Sequence, residues 1–329
     1  MKSVLFNSAS GRRVSKGRSF RFLTLAAVAG AMAIAGTAHA GFVINPIWDS
    51  SITSRSDAAQ TEATIQMAIN NFESIYNNNM TISITFHANT SLGGGGQSST
   101  PYYIINTSDY LNDLHATASG DAIDTAAWSE LQSNPTNGNS NKQMYLTFAN
   151  AKAIGYFDSG TGSYGDVYID PSNSFFNHTS PQSGKTDLYA VVSHEIDEVL
   201  GTSSGVGNGG AWFTATDFFR FGSTNHVRSF TTDTTQHAYF SVDGVNHIDE
   251  YNQIGRTGGD WGDWIDHGSA NKQVQDWVVY SNLLINYGVG ETSLLDAVGY
   301  NVSPAPEPAS IALLGLGAVA LLRRRALKK

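Results

Sequence analysis

Thr186-Asp187-Leu188-Tyr189-Ala190-Val191-Val192-Ser193-His194-Glu195-Ile196-Asp197-Glu198-Val199-Leu200-Gly201 is the stretch on which the reading of the chain turns. Thr186 or Asp187 can cap a helix running from Leu188 to Leu200, and Gly201 is a natural C-terminal stop. Residues four apart on a helix share a face, so His194 and Glu198 can point into one cleft and grip the same ion. An imidazole nitrogen and a carboxylate oxygen both serve as zinc ligands at about 2.0–2.2 Å. Glu195, beside them, has the chemistry of a general base acting on water at that metal. The same five-residue pattern also arises on a solvated acidic helix face, so its context has to decide.

Before it, Asp57 to Tyr76 reads as a helix, because Ala58, Ile65, Ala68, Ile69, Phe72 and Ile75 fall on one side of a 3.6-residue repeat. Met80 to His87 alternates Ile82, Ile84 and Phe86 with polar residues, a half-buried strand. Leu92 to Thr100 reads as a Gly/Ser loop, followed by helices near Ser108 to Ala116 and Asp121 to Leu131. The Asn-rich stretch Ser133 to Asn141 separates these from strands at Met144 to Phe148 and Val167 to Ile169. Beyond Gly201 the chain is loop-rich, with the Gly205 to Gly210 run, a hairpin at Tyr239 to Val242 turning at Asp243-Gly244, and Trp261, Trp264 and Trp277. A last helix, Thr292 to Val298, ends at Gly299. This order of elements predicts an α+β domain. With no internal repeat and no internal linker, it reads as one domain of two lobes, about 41–201 and 202–303.

The two ends read as processing signals. Residues 1–40 carry six basic residues and no acid, an apolar run from Phe22 to about Ala35, and Ala38-His39-Ala40. This is a secretory signal peptide, cut after Ala40 by signal peptidase. At the other end, Pro306-Glu307-Pro308 precedes an apolar stretch, Ala309 to Leu322, and then Arg323, Arg324, Arg325, Lys328 and Lys329. At about 1.5 Å per residue that helix reaches about two-thirds of a bilayer core, which suits a transient membrane contact. The ends hold eleven of the 19 Lys and Arg but one of the 28 Asp and Glu, so eight bases and 27 acids remain between them, a formal charge of −19. Such a surface repels nucleic acid and anionic lipid and invites divalent cations. There is no cysteine, so the exported domain relies on its core, on metal, or on both.

The C-terminal residues 304–329 resemble the PEP-CTERM sorting signals of Gram-negative bacteria, which an exosortase cuts near the Pro-Glu-Pro. That resemblance implies delivery across the inner membrane to the outer surface or extracellular matrix. The helix with His194, Glu198 and Gly201 is similar to that of the metzincin zinc proteases, and Gly165 to Pro171 is similar to the edge strand along their substrate cleft. Two departures stand out. Ser204 occupies the position of their third ligand, and no methionine turn can exist, because Met144 is the last methionine.

The chain is more closely similar to bacterial exported metalloproteases with a His-Glu-Ile-x-Glu motif. The matching stretches are His194 to Gly201, Thr216 to Phe221, Tyr239 to Gly244, Gly259 to Trp264 and Leu294 to Tyr300. The resemblance implies a zincin/metzincin-like domain, with the motif helix packed on a mixed sheet, that acts as a zinc metallopeptidase on protein or peptide substrates. Glu195 is then the catalytic base, and His194, Glu198 and a third group hold Zn²⁺. Asp217 is the first choice for that third ligand, since it follows the Gly-rich loop and lies in a matching stretch; His226, Asp260, Asp263 and His267 are the alternatives. Asp217 has a plain reading as a helix cap or a partner of Arg220, and Asp260 and Asp263 have one as a structural turn or a Ca²⁺ site. A second functional reading is a non-catalytic surface or extracellular-matrix protein on a degenerate metalloprotease fold.

Overall fold

A computed structural model describes residues 41–134, 143–157, 160, 162–207, 213–253 and 259–304. The signal-peptide reading of residues 1–40, and the sorting-tail reading beyond 304, lie outside them, as do most of the Asn-rich loop and the Gly run past Gly207. The chain divides into two compact units, Met1–Ala38 and His39–Lys329, and every described residue belongs to the second.

The elements of that unit run β1 (Val43–Trp48), α1 (Ser50–Thr53), α2 (Ala58–Ile75), β2 (Thr81–Ala88), β3 (Gly96–Ser99), β4 (Tyr102–Asn106), α3 (Thr107–Thr117), α4 (Ala122–Ser133) and β5 (Gln143–Thr147). They continue with α5 (Phe148–Ala153), β6 (Gly165–Ile169), β7 (Ser174–Phe175), β8 (Thr186–Asp187), α6 (Leu188–Asp197), β9 (Arg220–Phe221), β10 (Tyr239–Phe240), β11 (Asp249–Glu250) and α7 (Val289–Ala297). The fold is mixed α+β. Among the described residues no helix is long and apolar enough to cross a membrane.

The main sheet has the order β1-β2-β6-β3. β1, β2 and β6 are parallel, with Ile44 opposite Ile82 and Phe86 opposite Val167, and β3 runs antiparallel to β6, with Ser98 opposite Val167. The alternation read in β2 is the pleat itself: Ile82, Ile84 and Phe86 are buried. α2 turns Ile65, Ala68, Ile69 and Phe72 inward. It touches β1 and α6, while α6 touches β6 and β3. Burying each of these isoleucine and phenylalanine side chains contributes about 1.5–3 kcal/mol.

Three local readings change. Of the stretch Gly165 to Pro171, likened to a cleft-edge strand, Gly165–Ile169 lie inside the sheet as β6, and the edge is β3, within the segment read as a loop. An edge strand of Gly, Gln and Ser carries no apolar alternation to reveal it. Strand β5 stops at Thr147, whose hydroxyl accepts from Asn150 N at 3.1 Å and starts α5 at the position where the sequence continued the strand to Phe148. Helix α7 starts at Val289, before Thr292, because the Glu291 carboxylate accepts from Gly288 N at 3.1 Å, a capping contact across three residues.

Beyond α6 the short strands β9, β10 and β11 form an antiparallel sheet. Fully buried Trp264 stacks on Phe240 and meets Tyr251 at a tilt there. Both regions share one continuous core, which includes Ile65, Phe86, Trp264 and Tyr300. Tyr300 packs its ring on Phe42 and Tyr76 and donates its hydroxyl to Leu200 O at 2.8 Å, so the end of the domain closes over the exit of α6.

That exit depends on Gly201, whose φ of 135° belongs to glycine and whose Cβ would meet Asn150 Cβ at 3.2 Å. Gly201→Ala is therefore expected to destabilise the domain by about 1–3 kcal/mol. A urea midpoint unchanged from the wild type would show that the turn carries no such constraint.

Candidate metal centre

Asp187 caps α6, accepting from Tyr189 N at 3.2 Å. The same carboxylate takes His178 Nδ1 at 2.7 Å and Ile285 N at 3.2 Å, which fixes the start of the helix against a distant loop. Leu188, Val192, Ile196, Val199 and Leu200 are fully buried. That packing turns His194, Glu195 and Glu198 toward a cleft of about 300 Å³, bordered also by Gly96 and Ser98 of β3 and by Asp263.

One ligand atom each from His194, Glu198 and Asp263 lies within 4.8 Å of the others. His194 Nε2 is 3.8 Å from Glu198 Oε1 and 3.6 Å from Asp263 Oδ1. The other ring nitrogen, Nδ1, sits 2.9 Å from Val274 O. A carbonyl can only accept, so Nδ1 carries a proton, and when the ring is neutral it offers the Nε2 lone pair to the cleft, the tautomer that metal-binding histidines use. Ser98 Oγ donates to Glu198 Oε2 at 2.6 Å, and Asp260 N donates to Asp263 Oδ2 at 2.8 Å. Each carboxylate is thus oriented through one oxygen and presents the other. Asp263 Oδ1 is buried with no hydrogen-bond partner, the kind of orphaned atom that a cation would satisfy.

The electrostatics reflect this crowding. Burial pushes Asp263 up to about 8, with the His194 ring working against the rise and Glu198 adding to it. At His194, burial works to lower the pKa, but Asp263 and Glu198 outweigh it and hold the ring above its ordinary value. Burial, then Glu198 and Asp263, push Glu195 well above the usual carboxylate range. Glu195 Oε2 is buried and unpartnered. A Cβ on Gly96 would overlap the Glu195 carboxylate, so glycine is what lets the edge strand close over it.

Asp217 is not in this group. It is fully buried under the loop after Gly201, where Gly205 N and Thr214 N donate to Oδ2 at 2.8 and 2.9 Å and Ser204 Oγ donates to Oδ1. Ser204, at the third-ligand position of the metzincin pattern, thus serves Asp217. Arg220 donates to Trp261 O at 2.8 Å and lies over the Tyr251 ring. Of the alternatives, His226 pairs with Glu130, 2.6 Å away, and Asp260 borders the cleft through an exposed segment. Sequence reasoning missed Gly96, Ser98 and the Val274 carbonyl; the only hint of the first two was the Gly-Gly-Gly-Gln-Ser-Ser composition.

His267 is held between Asp249 Oδ1 at 3.0 Å and Asp276 Oδ1 at 2.7 Å. Lys272 Nζ holds the other Asp276 oxygen at 3.0 Å. These hydrogen bonds push His267 up to about 10. A raised histidine stabilises the fold fully below its unfolded value near 6.5 and loses that contribution as pH rises through about 10. His267→Gln is expected to lose about 2 kcal/mol at neutral pH and to flatten the stability profile between pH 6.5 and 10. Parallel profiles for variant and wild type across that window would refute the charged assignment.

Residues 304–326 match the family described as the PEP-CTERM protein-sorting motif. No curated protein and no solved structure matched the chain. The matched segment is the tail alone, and it marks the chain as an exported, surface-sorted protein and an exosortase substrate.

Proposed function

We propose that residues 41–303 form a zinc-dependent peptidase, with His194, Glu198 and Asp263 as metal ligands and Glu195 as general base. The observation that carries this reading is the convergence of one imidazole nitrogen and two carboxylate oxygens within 4.8 Å, beside a buried, unpartnered Glu195 oxygen. The donor set fits zinc, which accepts nitrogen and carboxylate ligands and, in catalytic sites, three protein ligands with one position open. Bound there, Zn²⁺ would supply a Lewis acid that polarises a scissile carbonyl and acidifies a water.

The chain's own groups supply the rest. Val274 O holds the His194 tautomer, and Ser98 and the Asp260 amide hold the carboxylates in position. Glu195 takes a proton from the attacking water and passes it to the leaving amine, a transfer favoured by a carboxyl more basic than usual. β3 is the sheet edge, and Gly96, Gln97 and Ser98 border the cleft, so its main chain can pair with an extended peptide.

The test is metal content and turnover of the exported protein. One zinc per chain after chelation and reconstitution, with cleavage of unfolded protein substrates, is the expected result. Absence of both would favour the non-catalytic surface protein.

A further inference from the structure

A second group of acids lies away from the cleft, where α4 begins and α7 ends. One carboxylate oxygen each from Asp121, Asp124 and Asp296 lies within 4.8 Å of the others. Asp121 is the N-cap of α4, and its Oδ1 accepts from Asp124 N at 3.0 Å. Asp124 Oδ2 accepts from Ser119 Oγ at 2.7 Å and Gly120 N at 2.9 Å. Each thereby commits one oxygen to the local loop and keeps the other. Asp296, on the facing helix, is 3 % exposed, and its Oδ1 has no hydrogen-bond partner.

A buried carboxylate oxygen without a donor is costly, and this one stands in the last turn of α7, where the negative end of the helix dipole opposes a charge on it. That turn holds no basic residue. Burial, then the charges of Asp121 and Asp124 and a hydrogen bond with Asp121, push the Asp296 carboxyl up to about 8, so the neighbours that act on it are themselves acids. The cost disappears if a cation sits among the three.

We propose that Asp121, Asp124 and Asp296 form a second cation site, which takes a calcium ion and ties the start of α4 to the end of α7. The donors are all carboxylate oxygens, with neither nitrogen nor sulfur, and such sets select hard cations over zinc. Extracellular calcium modules commonly work at 10⁻⁴–10⁻³ M, so the tie would form after export, where the ion is abundant. It would also reach the cleft mechanically, because α7 runs into Gly299 and Tyr300, and Tyr300 donates to Leu200 O at the exit of α6.

The experiment is thermal melting of the exported protein, stripped with EGTA and titrated with CaCl₂. Saturating calcium is expected to raise Tm by about 5–10 °C. Asp296→Asn should melt at or above the calcium-free wild type, because the repulsion is gone, and should show no calcium shift. His194→Ala, which leaves this group intact, should keep the shift, so failure of the zinc reading and failure of this one are separable. Should Asp296→Asn not fold, Asp121→Asn at the partly exposed N-cap provides the same comparison, and calorimetric titration of the wild type should count one calcium. A Tm indifferent to calcium, or a shift that survives the aspartate substitutions, overturns the proposal.

Discussion

Glu195→Gln is expected to retain one zinc per chain and to cut kcat on unfolded protein substrates by at least about a hundred-fold. Glutamine preserves the shape of the side chain but cannot take a proton. Zinc should remain, because the three converging ligand atoms belong to His194, Glu198 and Asp263. Stability should also remain, since burial and the neighbouring carboxylates disfavour a charge at Glu195, and an amide in that place removes that charge from an acidic cleft. Tm, zinc content and turnover, measured on one preparation, separate these effects. Wild-type turnover in the variant would remove Glu195 from the mechanism. A zinc-loaded wild type that cleaves nothing would leave the surface-protein reading standing.

How much of this was legible depends on how far the information travels along the chain. α2 and β2 could be read directly, because a buried face imposes a local period: Ile65, Ala68, Ile69 and Phe72 on the helix, and Ile82, Ile84 and Phe86 on the strand. The pairing of His194 with Glu198 was legible for the same reason, as helical spacing is a local property. β3 was not, since its four residues are small or polar and lie at the edge. Asp263 reaches the cleft only because the tertiary fold lays its loop against the exit of α6: a Cβ on Gly262 would stand 2.6 Å from Thr202 O. Nothing local encodes that approach. For Asp217 there was a local signal, a carboxylate three residues after Thr214, close enough to reach back to the Thr214 amide.

Asp263→Asn and Asp217→Asn are expected to fail in opposite ways. Asp263 presents an unpartnered, buried oxygen to the cleft and is pushed up to about 8, so much of its charge is already suppressed in the metal-free fold at neutral pH. Asparagine there should leave the urea midpoint of metal-free protein unchanged or higher. Zinc affinity should fall by at least about a hundred-fold in chelator competition, because one anionic ligand of three has become a neutral amide. Asp217 is the reverse case. Its two oxygens serve Ser204, Gly205 and Thr214 with no solvent to take their place. An asparagine keeps one acceptor and turns an N–H toward groups that also donate, at a cost of about 1–3 kcal/mol for each donor left unsatisfied. The folded fraction should bind zinc as the wild type does, since the loop that Asp217 secures carries none of the three converging atoms. If instead Asp217→Asn loses the metal and Asp263→Asn retains it, the third ligand comes from the loop after Gly201, and the cleft must rearrange on binding to let it in.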